Sequence, residues 1–306
     1  MKRILTLFAA AFAALSVTAH EPVDAPASAQ IETKEYNLNG FSALEISSIY
    51  NVELSRSPRH SLSVEAPDFL MPYLKVDTHD DCLRLSVSEL PRDVRHRIES
   101  GRYKVRAFVS TPEMNEIQMS GASRLESSGE FAPRKLFRIR MSGATSISGL
   151  VVRSNEADIE CSGASKLSLN GSFDRIKIQM SGSCGGDVAA NAKDSRIELS
   201  GAAKLSLKGN ISRLNLTATG AANFRQEGQI GEATLDGSGA AKIHTSDAQV
   251  TKARVRLSGA SGAIVDVREE LSITLSGASS LRYRANERMR IVDQNVSRAS
   301  SISSYK

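Results

Sequence analysis

The sequence predicts an all-β chain: a parallel β-helix of about nine or ten rungs, each 19–20 residues long, preceded by a β-rich N-terminal segment. Three observations predict it. A Ser-Gly-Ala tripeptide recurs, with small variation, nine times at a near-constant interval. Apolar and polar residues alternate between the copies. Aromatic residues make up only 5% of the 306 residues, with no Trp, which suits a thin core of stacked aliphatic side chains.

The repeat comes first. Its glycines are Gly121, Gly143, Gly163, Gly182, Gly201, Gly220, Gly239, Gly259 and Gly277, at intervals of 22, 20, 19, 19, 19, 19, 20 and 18. Such a period marks a solenoid. Four residues before the glycine stand Ile117, Ile139, Ile159, Ile178, Ile197, Leu216, Leu235, Val255 and Ile273, all aliphatic. Two before it stand Met119, Met141, Cys161, Met180 and Leu199 in the first five copies, and four after it come Leu125, Ile147 and Leu167 in the first three. These positions share a parity and face one side of an extended chain. Between them lie polar pairs such as Arg138 and Arg140 or Asp158 and Glu160. The period is two, so the rungs are strands. Stacked rungs repeat at about 4.8 Å, and each buried aliphatic contributes about 1.5–3 kcal/mol gross.

The tripeptide is the corner. Gly supplies a positive φ or a close backbone approach. The preceding hydroxyl, Ser142 or Ser162 for example, is placed to bond along the stack or to cap turn amides. A catalytic serine is needed once and beside a base, so nine hydroxyls in a column read as structure.

A weaker two-rung period overlies the first. Three residues after the glycine stand Arg124, Lys166, Lys204 and Lys242 on alternate rungs, with Ser146, Gly185, Asn223 and Gly262 between them. Stacking without offset would set these cations about 10 Å apart on one face. Such a row can track an anionic polymer or simply be a solvated face. Cys161 and Cys184 lie on adjacent rungs but four columns apart, which is too far for a disulfide. They read as buried thiols.

The remaining segments follow. Residues 1–19 read as a signal peptide: Lys2 and Arg3, then an apolar run from Ile4 to Val17, then small residues to Ala19. No later segment is apolar enough to span a membrane. Residues 20–34 read as a flexible leader. Residues 35–118 read as the β-rich N-terminal part, either a small sandwich or irregular early coils, with strands around Leu44, Val52, Leu62, Leu83–Val87 and Tyr103–Val109. Residues 119–306 read as the β-helix, closed by a degenerate tenth copy at Ser297-Arg298-Ala299.

Charge and chemistry narrow the function. Removing Lys2 and Arg3 lowers the formal charge from +5 to +3, too weak for a nucleic-acid partner. No His, Cys, Asp or Glu group has metal-ligand spacing. Asp77 to Cys82 reads as an exposed hairpin turn, and no cofactor motif is present. The basic stretch from Arg92 to Arg106 reads as a solvated loop. A glycosidase needs paired carboxylates. The nearest pair is Glu198 and Asp236, two rungs apart with Thr217 between.

The stretch FSALEISSIYNVEL from Phe41, the stretch FLMPYLKV followed by CLRLSV, and the serial Ser-Gly-Ala motifs resemble the putative auto-transporter adhesin, head GIN domain family over about residues 35–306. The resemblance implies an exported, right-handed β-helix and carries no catalytic residues. The expected function is therefore a non-enzymatic cell-envelope module serving adhesion or structure. Its partner would be an envelope or extracellular polysaccharide or a surface protein. A carbohydrate-active β-helix enzyme and a binder of anionic envelope polymer are the alternatives.

Overall fold

The structure is a computed structural model and describes residues 29–99 and 103–305. The signal segment read at 1–19 lies outside the described residues. The chain forms a β-solenoid of about ten turns, with parallel stacked rungs of about 19 residues.

Seven long strands make its body: Ser146–Cys161, Lys166–Met180, Gly185–Leu199, Lys204–Ala218, Asn223–Gly237, Lys242–Leu257 and Gly262–Leu275. Each pairs in parallel with the next. Like stacks on like: Ile139, Ile159, Ile178, Ile197 and Leu216 are successive partners, and all are buried. The columns two before and four after the glycine are buried as expected. So is the small column two after it, which holds Ser165, Cys184, Ala203 and Ala222. Adjacent rungs with the 19-residue interval pair without a register shift. The 20- and 18-residue intervals are absorbed by shifts near Ile147, Arg225 and Thr245. Each odd residue becomes a bulge, which keeps the inward parity on both sides of it.

The repeat glycines all take φ between +67° and +76°. A Cβ added to Gly143 through Gly277 would lie 2.6–3.0 Å from the carbonyl oxygen of the glycine below. Two independent constraints therefore select glycine, the left-handed corner and the backbone approach. The preceding serine bonds along the stack: Ser162 N–H and Oγ both donate to the Met141 carbonyl, at 2.8 and 3.2 Å.

The N-terminal part combines early coils with antiparallel closure. Ala43–Ile46 and Tyr50–Arg56 pair in parallel with Glu116–Met119 and Arg124–Ser128, forming a rung directly beneath the first Ser-Gly-Ala. Outside that rung lie Cys82–Val87 and Val105–Thr111, again parallel. Spatial order thus departs from chain order. Ser61–Pro67 and then Ile31–Tyr36 add antiparallel to one side, and Leu74–His79 to the other. The flexible leader expected over 20–34 is corrected at Ile31–Lys34, which bond to Val64–Pro67. Asp80 and Asp81, both at positive φ, form the expected hairpin turn.

The loop expected after Arg92 is corrected too. Arg92–Glu99 is an α-helix. Its apolar positions, Val94 and Ile98, are four apart and face the core, and Asp93 sits in the first turn. At the other end, Arg290–Val296 and Ser301–Tyr305 complete a last rung. The degenerate corner at Arg298 does not take the left-handed conformation. Instead the Ser300 hydroxyl donates to the Gly277 carbonyl at 3.0 Å. Among the described residues no helix is long and apolar enough to cross a membrane.

Candidate functional site

Two surface features flank the Ser-Gly-Ala corner. The first is the basic row. The register places Arg124, Ser146, Lys166, Gly185, Lys204, Asn223, Lys242 and Gly262 in one column. Arg124, Lys166, Lys204 and Lys242 are exposed and recur every second rung, about 10 Å apart. Small residues between them offer no carboxylate. Arg124 Nε donates to Ser146 Oγ at 3.3 Å. Among the described residues none of the four cations makes an ion pair.

Several other cations on the rod are paired down the stack, although the exposed Arg254 and Arg282 are not among them. Arg140 meets Glu116 at 2.7 Å, Lys193 meets Asp174 at 2.8 Å, Arg213 meets Asp194 at 2.5 Å and Lys252 meets Glu270 at 3.2 Å. Arg175 pairs with Glu156. The cross-strand pairing expected around Asp158 and Glu160 is present, to Lys177 and Arg140, both at 3.8 Å.

The second feature is a groove of about 780 Å³ on the other side of the corner. Met141, Cys161, Met180 and Leu199, whose side chains point into the core, lie beneath it. Ser142, Ser162, Ser181, Ser200 and Thr219 form one wall, and Arg140, Glu160, Gln179, Glu198 and Thr217 the other. Each column is visible in the sequence. What alignment on the glycine does not display is that the serines and the charged column stand on either side of one trough.

Glu198 and Asp236 share a column with Thr217 between them, as expected. Hydrogen bonds from Gln179 and Arg196, each at 2.9 Å, hold the Glu198 carboxyl below the usual range. Asp236 is bound by Arg256 at 3.2 Å. A glycosidase acid needs the opposite, a proton held to higher pH. Among the described residues no group of three or more His, Cys, Asp or Glu is placed to hold a metal ion.

The thiols of Cys161 and Cys184 are free and buried. Ser165 Oγ lies 3.2 Å from Cys184 Sγ. Cys184 Sγ donates to the Ser181 carbonyl at 2.8 Å, closing its own turn as the Ser165 hydroxyl does to Ser162 at 3.0 Å. Burial pushes the Cys161 thiol up to about 12.

A family model described as "Putative auto-transporter adhesin, head GIN domain" matches residues 40–192 and 184–286, well over half of the chain. Among solved structures, a putative adhesin from Parabacteroides merdae ATCC 43184 is similar at 15% identity, with a TM-score of 0.51. The match covers 90% of this chain and 97% of that one. A putative adhesin from Parabacteroides distasonis ATCC 8503 is similar at 13% identity and a TM-score of 0.50, covering 90% and 98%. A putative lipid binding protein, also from Parabacteroides distasonis ATCC 8503, matches at 15% identity and a TM-score of 0.47, covering 90% and 97%. At these identities the likeness is one of fold. A comparison with curated proteins yields no match.

Proposed function

This chain belongs to the putative auto-transporter adhesin, head GIN domain family, and from that premise we propose that it is an exported, non-enzymatic binding module for linear anionic polysaccharide of the cell envelope. The observation that carries the reading is the row of Arg124, Lys166, Lys204 and Lys242. Several cations on the rod pair with a carboxylate on a neighbouring rung, whereas these four form a single column of exposed cations without an ion-pair partner among the described residues. Their spacing of about 10 Å suits a polymer whose negative charge recurs once per repeat. Exposed lysines cost little to desolvate partly, so each contact contributes modestly and the row works by adding them. The basic, apolar and small-residue order of residues 1–19 supports export. The depressed Glu198 carboxyl favours binding over hydrolysis.

The test is a salt series of binding to polygalacturonate, with dextran as the uncharged control. Wild type should bind polygalacturonate with an affinity that falls steeply with salt. The triple change Lys166→Ala, Lys204→Ala, Lys242→Ala should weaken binding at least tenfold and flatten the salt slope, with the melting temperature unchanged. A matched change of the paired cations Lys193 and Lys252 to Ala should leave binding in place. Equal loss in both variants, or no loss in the first, overturns the reading.

A further inference from the structure

The corner at Ser47-Ser48-Ile49 differs from those stacked above it. In the Ser-Gly-Ala copies, the residue after the glycine is alanine in all but one, Ser183, and every one of them is exposed. Here that place is taken by Ile49, which is half-buried against the core. What lies beside it is the segment that replaces the next corner. Cys82–Val87 runs beneath Ala43–Ile46, with Leu85 under Ile46 and the Ser47 N–H donating to the Leu85 carbonyl at 2.9 Å. Beyond Val87 the chain does not turn into another stacked corner. The Ser88 N–H and Oγ both donate to the Tyr73 carbonyl, at 2.8 and 3.1 Å, and the chain then enters the helix Arg92–Glu99.

A cavity of about 470 Å³, open to solvent, lies between this corner and the helix. Small-molecule sites occupy roughly 300–1,000 Å³. Ile49, Val87, Leu90 and Ile98 line it, and all four are half-buried apolar side chains at the edge of the core. Strand parity turns Val87 to the same side as the buried Leu83 and Leu85, but no rung covers it there. Two charges complete the lining. Glu89 and Arg95 are both exposed, and neither makes an ion pair among the described residues. The Arg95 guanidinium donates to the Leu90 carbonyl at 3.5 Å, a bond long enough to yield to a charged acceptor.

We propose that this cavity binds a single-chain amphiphile with a zwitterionic phosphate-and-ammonium head. Its alkyl chain lies on Ile49, Val87, Leu90 and Ile98, its phosphate meets Arg95 and its ammonium faces Glu89. The lining sets this choice. Apolar walls reward each methylene taken out of water, and a guanidinium suits phosphate by its planar fork of donors. A fatty-acid anion would use Arg95 but stand beside Glu89. An alkylammonium would use Glu89 but stand beside Arg95. The zwitterion alone satisfies both charges, which is a gain in specificity more than in raw affinity. The site shares no residue with the basic row of Arg124, Lys166, Lys204 and Lys242, so the two readings stand or fall separately.

The experiment is a calorimetric titration of the full chain, below the micelle concentration, with three amphiphiles of equal chain length: dodecylphosphocholine, dodecanoate and dodecyltrimethylammonium. One dodecylphosphocholine per chain is expected, bound more tightly than either of the others. Decylphosphocholine should bind more weakly, by up to about fourfold per methylene removed. Arg95→Gln, a change at an exposed side chain, should weaken dodecylphosphocholine and dodecanoate by about fivefold or more and spare dodecyltrimethylammonium. Glu89→Gln should weaken dodecylphosphocholine and dodecyltrimethylammonium and spare dodecanoate. Ile49→Ala restores the residue of the other corners. With its fold checked by circular dichroism, it should weaken all three by about fivefold or more. Absence of saturable binding overturns the proposal. So does equal affinity for the three heads, or wild-type affinity for dodecylphosphocholine in Arg95→Gln or in Ile49→Ala.

Discussion

Ser48 turns its rung through the same left-handed corner as Gly121 stacked on it: φ is 73° at Ser48 and 76° at Gly121. The Ala122 N–H donates to the Ser48 carbonyl at 2.7 Å, as the Ala144 N–H does to Gly121 at 2.8 Å. Ser47-Ser48-Ile49 is thus a Ser-Gly-Ala corner without its glycine. It tolerates a side chain because nothing repeats its corner beneath it, whereas a Cβ on Gly121 would meet Ser48 N at 2.7 Å.

The corner geometry makes opposite substitutions unequal. Gly201→Ala forces alanine to φ +67° and sets its Cβ 2.9 Å from the Gly182 oxygen. It should cost about 2 kcal/mol or more in urea denaturation. Ser48→Gly relieves a left-handed strain of about 1–2 kcal/mol while adding unfolded-chain entropy, so it should be neutral or slightly stabilising. A Gly201→Ala protein as stable as wild type would disprove the stacked corner.

Leu199 tests the inward columns. It is 2% exposed, between Met180 and Ala218 in the stack. Leu199→Asp buries a charge with no partner and should cost about 4 kcal/mol or more, seen as a collapsed melting temperature or loss of soluble protein. Lys204→Ala, on the exposed column five residues on, should stay within about 0.5 kcal/mol of wild type. Similar melts for the two variants would mean that the strand parity is reversed.

The columns were legible because a period-two pattern repeated nine times averages out local exceptions. Gly186 and Gly237 sit in buried columns without a side chain to announce it. Where repetition stops, legibility stops. The rung at Ser48 lacks the glycine, so Ala43–Arg56 reads as isolated strands until Ile117 is seen paired with Leu44. The swap in order, with Cys82–Val87 outside Ala43–Ile46, leaves no local trace at all. The helix Arg92–Glu99 is two turns long, and its charged residues mask the Val94 and Ile98 spacing. Of the candidate site, the basic row was readable as a column. Its lack of carboxylate partners needed the register, and the groove needed the third dimension.

His244 gives a pH dependence of known sign. Burial first, and then the Arg225 and Lys242 charges, hold its pKa below the ordinary 6.5, with Asp247 opposing. As pH falls, the unfolded chain takes up this proton before the folded one does. Stability is therefore full above about pH 6.5 and declines from there down through the folded pKa. The ring is partly exposed, so the loss should stay below about 1 kcal/mol. Melts at pH 7.5 and 5.5 should show the decline, and His244→Gln should remove that part of it. Lys242→Ala should raise the imidazole pKa in an NMR titration. An unchanged decline in His244→Gln would place the titration elsewhere.

Glu198 decides between a binding groove and a hydrolytic one. Its carboxylate accepts from Gln179 Nε2 and Arg196 Nε at 2.9 Å each, and both bonds favour the ionised form. An NMR titration should find its pKa below the ordinary 4.5, rising toward it in Gln179→Ala and Arg196→Ala. The sign for stability follows. A depressed folded pKa contributes stability that is present above about 4.5 and lost as pH falls through the lower value, so Glu198→Gln should soften acid unfolding only below about pH 4.5. A general acid for glycoside cleavage must instead hold its proton near neutral pH. A measured pKa above 4.5, together with release of reducing ends from a polysaccharide that is abolished by Glu198→Gln, would assign the groove to catalysis.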